Sequence, residues 1–322
     1  MEFARAEYIE KLVAKKHNGR IKVITGIRRC GKSYLLFKLF VNYLHQNNVH
    51  DNQIVQLALD EIGNAKYRNP IELDAYLRSQ IERTSTQYYI LIDEIQFVAE
   101  IKNPYVNDNT AKLTFIDVLL GLMKLPNVDI YVTGSNSKML SSDILTQFRD
   151  RADEIQVYPL SFAEMYEKYE GPERNAWLDY YTYGGMPVVF SLQTHEEKSK
   201  YLSDLFLRTY LKDVVERYQI QNDTSILEDL LNIIASSIGS LTNPTKLANT
   251  FLSKKQVKIN STTISRYLSY FVDAFLIKQA NRYDVKGKKY IKTPLKYYDL
   301  HPFSWTEVIK QLFGNGSGIL PD

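Results

Sequence analysis

Apolar positions along this chain alternate between two periods. Tyr8, Ile9, Leu12 and Val13 stand near helical spacing and Lys15-Lys16 follow, where cations suit the end of a helix dipole, so residues 2–16 predict a short helix. Ile21-Lys22-Val23-Ile24-Thr25 is a β-branched run that ends at a glycine, and Leu35, Leu36, Leu39 and Phe40 predict a helix from Lys32 to about Leu44. Further strands are predicted at Ile54–Ala58, Tyr88–Ile92, Ile130–Thr133 and Ile155–Tyr158, and helices at 70–82, 112–124 and 137–148. Strands and helices in that alternation imply a parallel sheet covered on both faces. The polar insertion Asn103 to Thr110 predicts a loop.

After Pro159 the pattern changes. Residues 161–235 read as wholly helical, broken only at Gly184-Gly185-Met186-Pro187, which must turn. Residues 241–292 read helix, turn, helix and then a hairpin around Asp284-Val285-Lys286-Gly287-Lys288, the pattern of a winged helix-turn-helix. The divisions expected are 1–160 for an α/β domain, 161–235 for a helical lid or connector, 236–299 for the winged helix and 300–322 for an irregular tail.

A domain takes roughly 100 to 200 residues, so a chain of 322 holds at least two, each large enough for its own core. Hydrophobic residues at 44% and charged residues at 24% are ordinary for folded domains and exclude global disorder. The net charge of +3 leaves any nucleic-acid surface to a local patch. Cys30 is the only cysteine, which rules out an internal disulfide and suits a reducing cytosol. No apolar run approaches the roughly 18 residues of a membrane span, so a cytoplasmic protein with no membrane partner is expected.

The chemistry is concentrated at strand ends. Gly26-Ile27-Arg28-Arg29-Cys30-Gly31-Lys32-Ser33 fits the phosphate-loop pattern G-x-x-x-x-G-K-[ST] between a predicted strand and a predicted helix. The glycines let successive amides face phosphate oxygens, and the helix, continuing through Tyr34, points its positive end at them. Lys32 would neutralise the β and γ phosphates, and Ser33 would offer a hydroxyl to Mg²⁺, which prefers oxygen. In Ile90-Leu91-Ile92-Asp93-Glu94-Ile95-Gln96 an apolar strand delivers two carboxylates to the sheet edge: Asp93 would hold Mg²⁺, and Glu94 would orient and deprotonate the attacking water. No guanine-reading Asn/Thr-Lys-x-Asp run is present, so ATP and ADP are the expected nucleotides.

Three further assignments have bland alternatives. In Thr133-Gly134-Ser135-Asn136, Asn136 is the first choice and Ser135 the second for a side chain between γ-phosphate and water, although both types also cap helices. Arg149 and Arg151 can act as fingers on a neighbouring subunit in a homo-oligomer, or be surface arginines. Arg28 and Arg29 can face nucleotide or a neighbour, or be solvated.

These stretches, together with Pro159-Leu160-Ser161-Phe162, Gly184-Gly185-Met186-Pro187 and Lys296-Tyr297-Tyr298, resemble a group of prokaryotic AAA-type ATPases with a helical lid and a C-terminal winged helix. The resemblance covers residues from about 5 to 299. It implies a P-loop sheet ordered 5-1-4-3-2, with an extra strand between the glycine-loop strand and the Asp-Glu strand. Such proteins usually continue into a nuclease-like extension. Here His301 to Asp322 is short, and a truncated member is expected.

Within the predicted winged helix, Ser261 is expected to cap a helix that presents Thr262, Thr263, Ser265 and Arg266 and buries Tyr267, Leu268 and Phe271. Lys254, Lys255 and Lys258 precede it and Lys286, Lys288 and Lys289 decorate the wing, so residues 254–289 are the candidate surface for duplex DNA. Two functions follow: an ATP-driven switch acting through the winged helix, or a DNA-binding regulator in which nucleotide has no significant turnover.

Overall fold

The computed structural model describes residues 2–82, 85–134, 148, 150–221, 224–237, 239–280 and 296–299. They form two compact units, Glu2–Tyr158 and Pro159 onward.

In the first unit, β1 (Ile21–Thr25), β2 (Ile54–Ala58), β3 (Tyr88–Asp93), β6 (Val128–Thr133) and β7 (Ala152–Gln156) form one sheet in the order β2-β3-β6-β1-β7. All its pairings are parallel. Counting only these strands, this is the order 5-1-4-3-2 read from the opposite edge, and β6 is the strand inserted between β1 and β3. Two short strands, β4 (Ile101–Lys102) and β5 (Lys112–Leu113), make a separate antiparallel arm that carries the polar insertion at its tip. Because Lys112 and Leu113 join that arm, the next helix starts only at Phe115 and runs to Leu122, with Thr114 and Asp117 forming a capping box at its start.

Strands covered on both faces must be apolar throughout, and every residue of β1 and β3 is buried. One face packs Val23, Ile90, Ile92 and Val132 against Leu73, Leu77, Leu119 and Leu122 of the helices Pro70–Ser79 and Phe115–Leu122. The other is covered by the helix Ala6–Ala14 and the helical run Lys32–Tyr34, Leu35–Phe40 and Val41–Gln46, the middle piece π-helical, with the Phe40 ring tilted against that of Tyr131 at 4.6 Å between centroids.

Charged residues enter this core by pairing. Lys22, fully buried in β1, donates to Asp129 of β6, which also accepts from the Tyr131 hydroxyl (2.9 Å) and the His17 amide (3.1 Å). The edge strand β7 starts three residues earlier than its apolar residues suggest. Asp153 and Glu154 hide it in the sequence, yet Asp153 is tied to Arg20 (3.2 Å), Lys15 (3.4 Å) and Asn18 (2.7 Å), and Glu154 accepts from Thr25 (2.7 Å). The helix expected at 137–148 lies outside the described residues, apart from Phe148.

The second unit is helical up to Ser236: Phe162–Tyr166, Glu173–Tyr183, His195–Thr209 with a π-helical continuation Tyr210–Glu216, and Thr224–Ser236. The break falls at Gly184, whose backbone (φ 71°, ψ −167°) glycine alone adopts readily. Gly185 closes the turn onto the unit's first residues. Its carbonyl accepts the Leu160 amide at 2.7 Å, and a Cβ on Gly185 would lie 2.0 Å from the Leu160 carbonyl oxygen. Helices Pro244–Lys255 and Ser261–Asp273 follow, then β8 (Ile277–Ala280) paired antiparallel with β9 (Lys296–Asp299). Tyr267, Leu268 and Phe271 are buried as expected, while Thr262, Ser265 and Arg266 are exposed. The cap is Asn260, not Ser261: its side chain accepts the Thr262 amide at 2.9 Å, and Ser261 is the first helical residue. Lys255 is paired with Asp229 at 3.0 Å, which removes one lysine from the free basic set. The wing residues Lys286, Lys288 and Lys289 and the tail 300–322 lie outside the described residues.

Candidate nucleotide site

The loop after β1 keeps its shape through two glycines and one lysine. Gly26 has φ +146°, and a Cβ there would stand 2.2 Å from the Val157 carbonyl oxygen, so the loop lies against the chain just beyond β7 where no side chain fits. Gly31 has φ +98° and opens the helix that begins at Lys32. The first amides of that helix have no acceptor within it and face outward as a set of donors. Lys32, 4% exposed, donates to the carbonyls of Gly26 (2.9 Å) and Ile27 (3.0 Å). An ammonium has three donors, and two held by the loop leave the third for an anion.

Arg28 is half-buried and Arg29, at φ +64°, is exposed. Cys30 is fully buried with its thiol 3.5 Å from the Val157 carbonyl, so it is a packing residue behind the loop. Burial, with Glu2 contributing, pushes the Tyr34 hydroxyl's pKa up, and that hydroxyl has no hydrogen-bond partner among the described residues.

β3 brings the carboxylates to this loop. Asp93 is 5% exposed and accepts a hydrogen bond from the Thr133 hydroxyl, with the Ser33 hydroxyl near enough to pull its pKa down as well. Burial holds its carboxyl above the usual carboxylate range against the pull of those hydroxyls and of Lys32, with Glu94 adding to the rise. A buried carboxylate beside a serine hydroxyl is an all-oxygen pair that gains from a hard cation, so the residues present fit Mg²⁺. Ser33 and Asp93 would hold it.

Glu94 follows in the left-handed region (φ 54°, ψ 49°). Its amide donates to the Thr133 hydroxyl at 3.1 Å, and its carboxylate accepts from the Gln96 side-chain amide. Thr133 therefore ties both acidic residues to the end of β6, a role that its place in the sequence, just before the polar Ser135 and Asn136, conceals. Asn136 and Arg149 lie outside the described residues. Arg151 is exposed at the start of β7, where its carbonyl accepts the Ile21 amide (3.0 Å), at the opposite end of the sheet from its own phosphate loop. It is not brought to the site within this chain.

A family described as an AAA domain matches residues 18–166, and a domain of unknown function matches residues 174–299. An uncharacterized protein of Haemophilus influenzae is 32% identical over 300 residues, covering 92% of this chain and 70% of its own length. An uncharacterized protein of Methanocaldococcus jannaschii is 30% identical over 285 residues; 84% of this chain spans 58% of that one. Among solved structures, a Walker-type ATPase of Pyrococcus abyssi is similar in fold, with a TM-score of 0.61 at 18% identity over 96% of each chain. No helix among the described residues is long and apolar enough to cross a membrane.

Proposed function

This chain belongs to the AAA-domain family of P-loop ATPases, and from that premise we propose that it binds ATP with Mg²⁺ and hydrolyses it to ADP and phosphate. The observation that carries the reading is the meeting of the phosphate loop with the acidic strand, where the Ser33 hydroxyl and the Lys32 ammonium both act on the buried carboxyl of Asp93. Two segments distant in sequence meet there with the chemistry of a metal-phosphate site.

In this reading the loop amides from Ile27 to Tyr34 and the Lys32 ammonium receive the β and γ phosphates. Bound Mg²⁺ supplies charge neutralisation across those phosphates. Glu94 takes a proton from water as its oxygen bonds to the γ-phosphorus, the bond to the β–γ bridging oxygen breaks, and ADP carries the released electron pair. Asn136 is the proposed polar contact to that water. Arg149 and Arg151 are proposed to serve a neighbouring copy, since Arg151 stands at the far end of its own sheet. The helical segment and the two-helix segment 244–273 are proposed as a lid and a winged helix that pass nucleotide state to a partner in the cytoplasm. The test is direct: Lys32→Ala should abolish ATP binding in an equilibrium titration, and unchanged affinity would refute the reading.

A second reading, a DNA-binding regulator without significant turnover, is favoured by the exposed Thr262, Ser265 and Arg266 on one side of the helix Ser261–Asp273. Measurable ATP turnover separates the two.

A further inference from the structure

Gln96 belongs neither to the phosphate loop nor to the metal-holding pair, yet it is built into the site. Ile95–Phe97 form a single 3-10 turn, closed by the Phe97 amide on the Glu94 carbonyl and the Val98 amide on the Ile95 carbonyl, both at 3.0 Å. The outer side of that turn is braced. Arg68 lies 5.0 Å from the Phe97 ring centre and donates to the carbonyls of Leu59 (2.8 Å) and Asp60 (3.0 Å), while its own carbonyl accepts the Ala99 amide at 2.8 Å. Ile95 is fully buried beneath. Held in this way, and with Glu94 in the left-handed region, the chain folds back so that the Gln96 side-chain nitrogen donates to Oε2 of Glu94.

The other end of the same amide is unsatisfied. Gln96 Oε1 is buried with no hydrogen-bond partner among the described residues. Turning the amide over would set that oxygen against a carboxylate, so the nitrogen must face Glu94.

We infer that Gln96 is a positioning residue for hydrolysis, whose amide fixes the direction of the Glu94 carboxylate for taking a proton from the attacking water. The inference rests on Glu94 acting as the base. What the bond from Gln96 removes is rotation of a long side chain whose misdirection is costly in a reaction that depends on alignment.

The test is Gln96→Leu in the full chain, with phosphate release measured over a range of Mg-ATP, Mg-ADP affinity measured separately, and thermal melting as a check on folding. Turnover should fall at least about tenfold, while KM and Mg-ADP affinity stay within about twofold. The melting temperature should be unchanged within a few degrees. Turnover within twofold of the natural chain, or equal losses in affinity and turnover, would overturn the assignment. If the leucine variant does not fold, Gln96→Glu keeps the shape and loses the donor, and the same fall is expected. A natural chain that binds ATP without turning it over sinks the hydrolytic reading itself. Normal turnover in both natural chain and variant sinks only Gln96.

Discussion

Thr133 donates its hydroxyl hydrogen to the buried carboxylate of Asp93 across the neighbouring strands β6 and β3. The same hydroxyl accepts the Glu94 amide at 3.1 Å, so one side chain fixes both carboxylate residues at the end of the sheet. Thr133→Val keeps the shape and removes both bonds. We expect a stability loss of about 1–2 kcal/mol in denaturant melts and a fall in turnover of roughly tenfold in a phosphate-release assay.

Asp129 and Lys22 make a second prediction, at the opposite end of the sheet, on β6 and β1. Lys22 is fully buried, and burial pulls its pKa down while Asp129 pulls it back up. Asp129→Asn leaves an ammonium without its counter-charge and should cost about 3–5 kcal/mol. The double variant Lys22→Met with Asp129→Asn should recover much of that loss. Urea melts of the three chains would measure the coupling, and additive losses would show that the pair does not act as a unit.

His17 gives the pH dependence. Burial lowers its pKa below the ordinary value of 6.5, Lys16 and Lys22 push the same way, and Asp129 opposes them. The folded chain therefore binds fewer protons than the unfolded chain in the window just below pH 6.5, and stability must fall as pH drops through it. Melts between about pH 7 and about pH 5.5 should show this slope, and His17→Gln should flatten it. A slope that survives the substitution would assign it to other groups.

The phosphate loop and the acidic strand end were legible because each is a short run whose residue types have one economical chemical use together. The sheet order was legible only through family resemblance, since periodicity does not say which strand lies beside which. The start of β7 was hidden because Asp153 and Glu154 break the apolar run, and their partners Lys15, Asn18 and Arg20 come from the far end of the unit. Lys22 shows the same limit. Its place in an apolar strand announces burial, but nothing nearby in sequence names Asp129 as its partner.

Thr133 and Gln96 escaped notice for another reason. Both stand inside recognised runs, next to residues with a more familiar use, and their roles arise from a left-handed turn at Glu94 that no local pattern demands. Arg5 is similar: it ends up 4% exposed, its guanidinium on the Tyr158 carbonyl, although it reads as an ordinary surface charge.

The chain's single sulfhydryl, Cys30, is sealed behind the phosphate loop. Two cysteines introduced at exposed positions, one in each unit, would thus be the only thiols open to a maleimide in the folded protein. Dye pairs could then report the separation of the two compact units as nucleotide is added, with no need to remove a native sulfur from the loop that receives it.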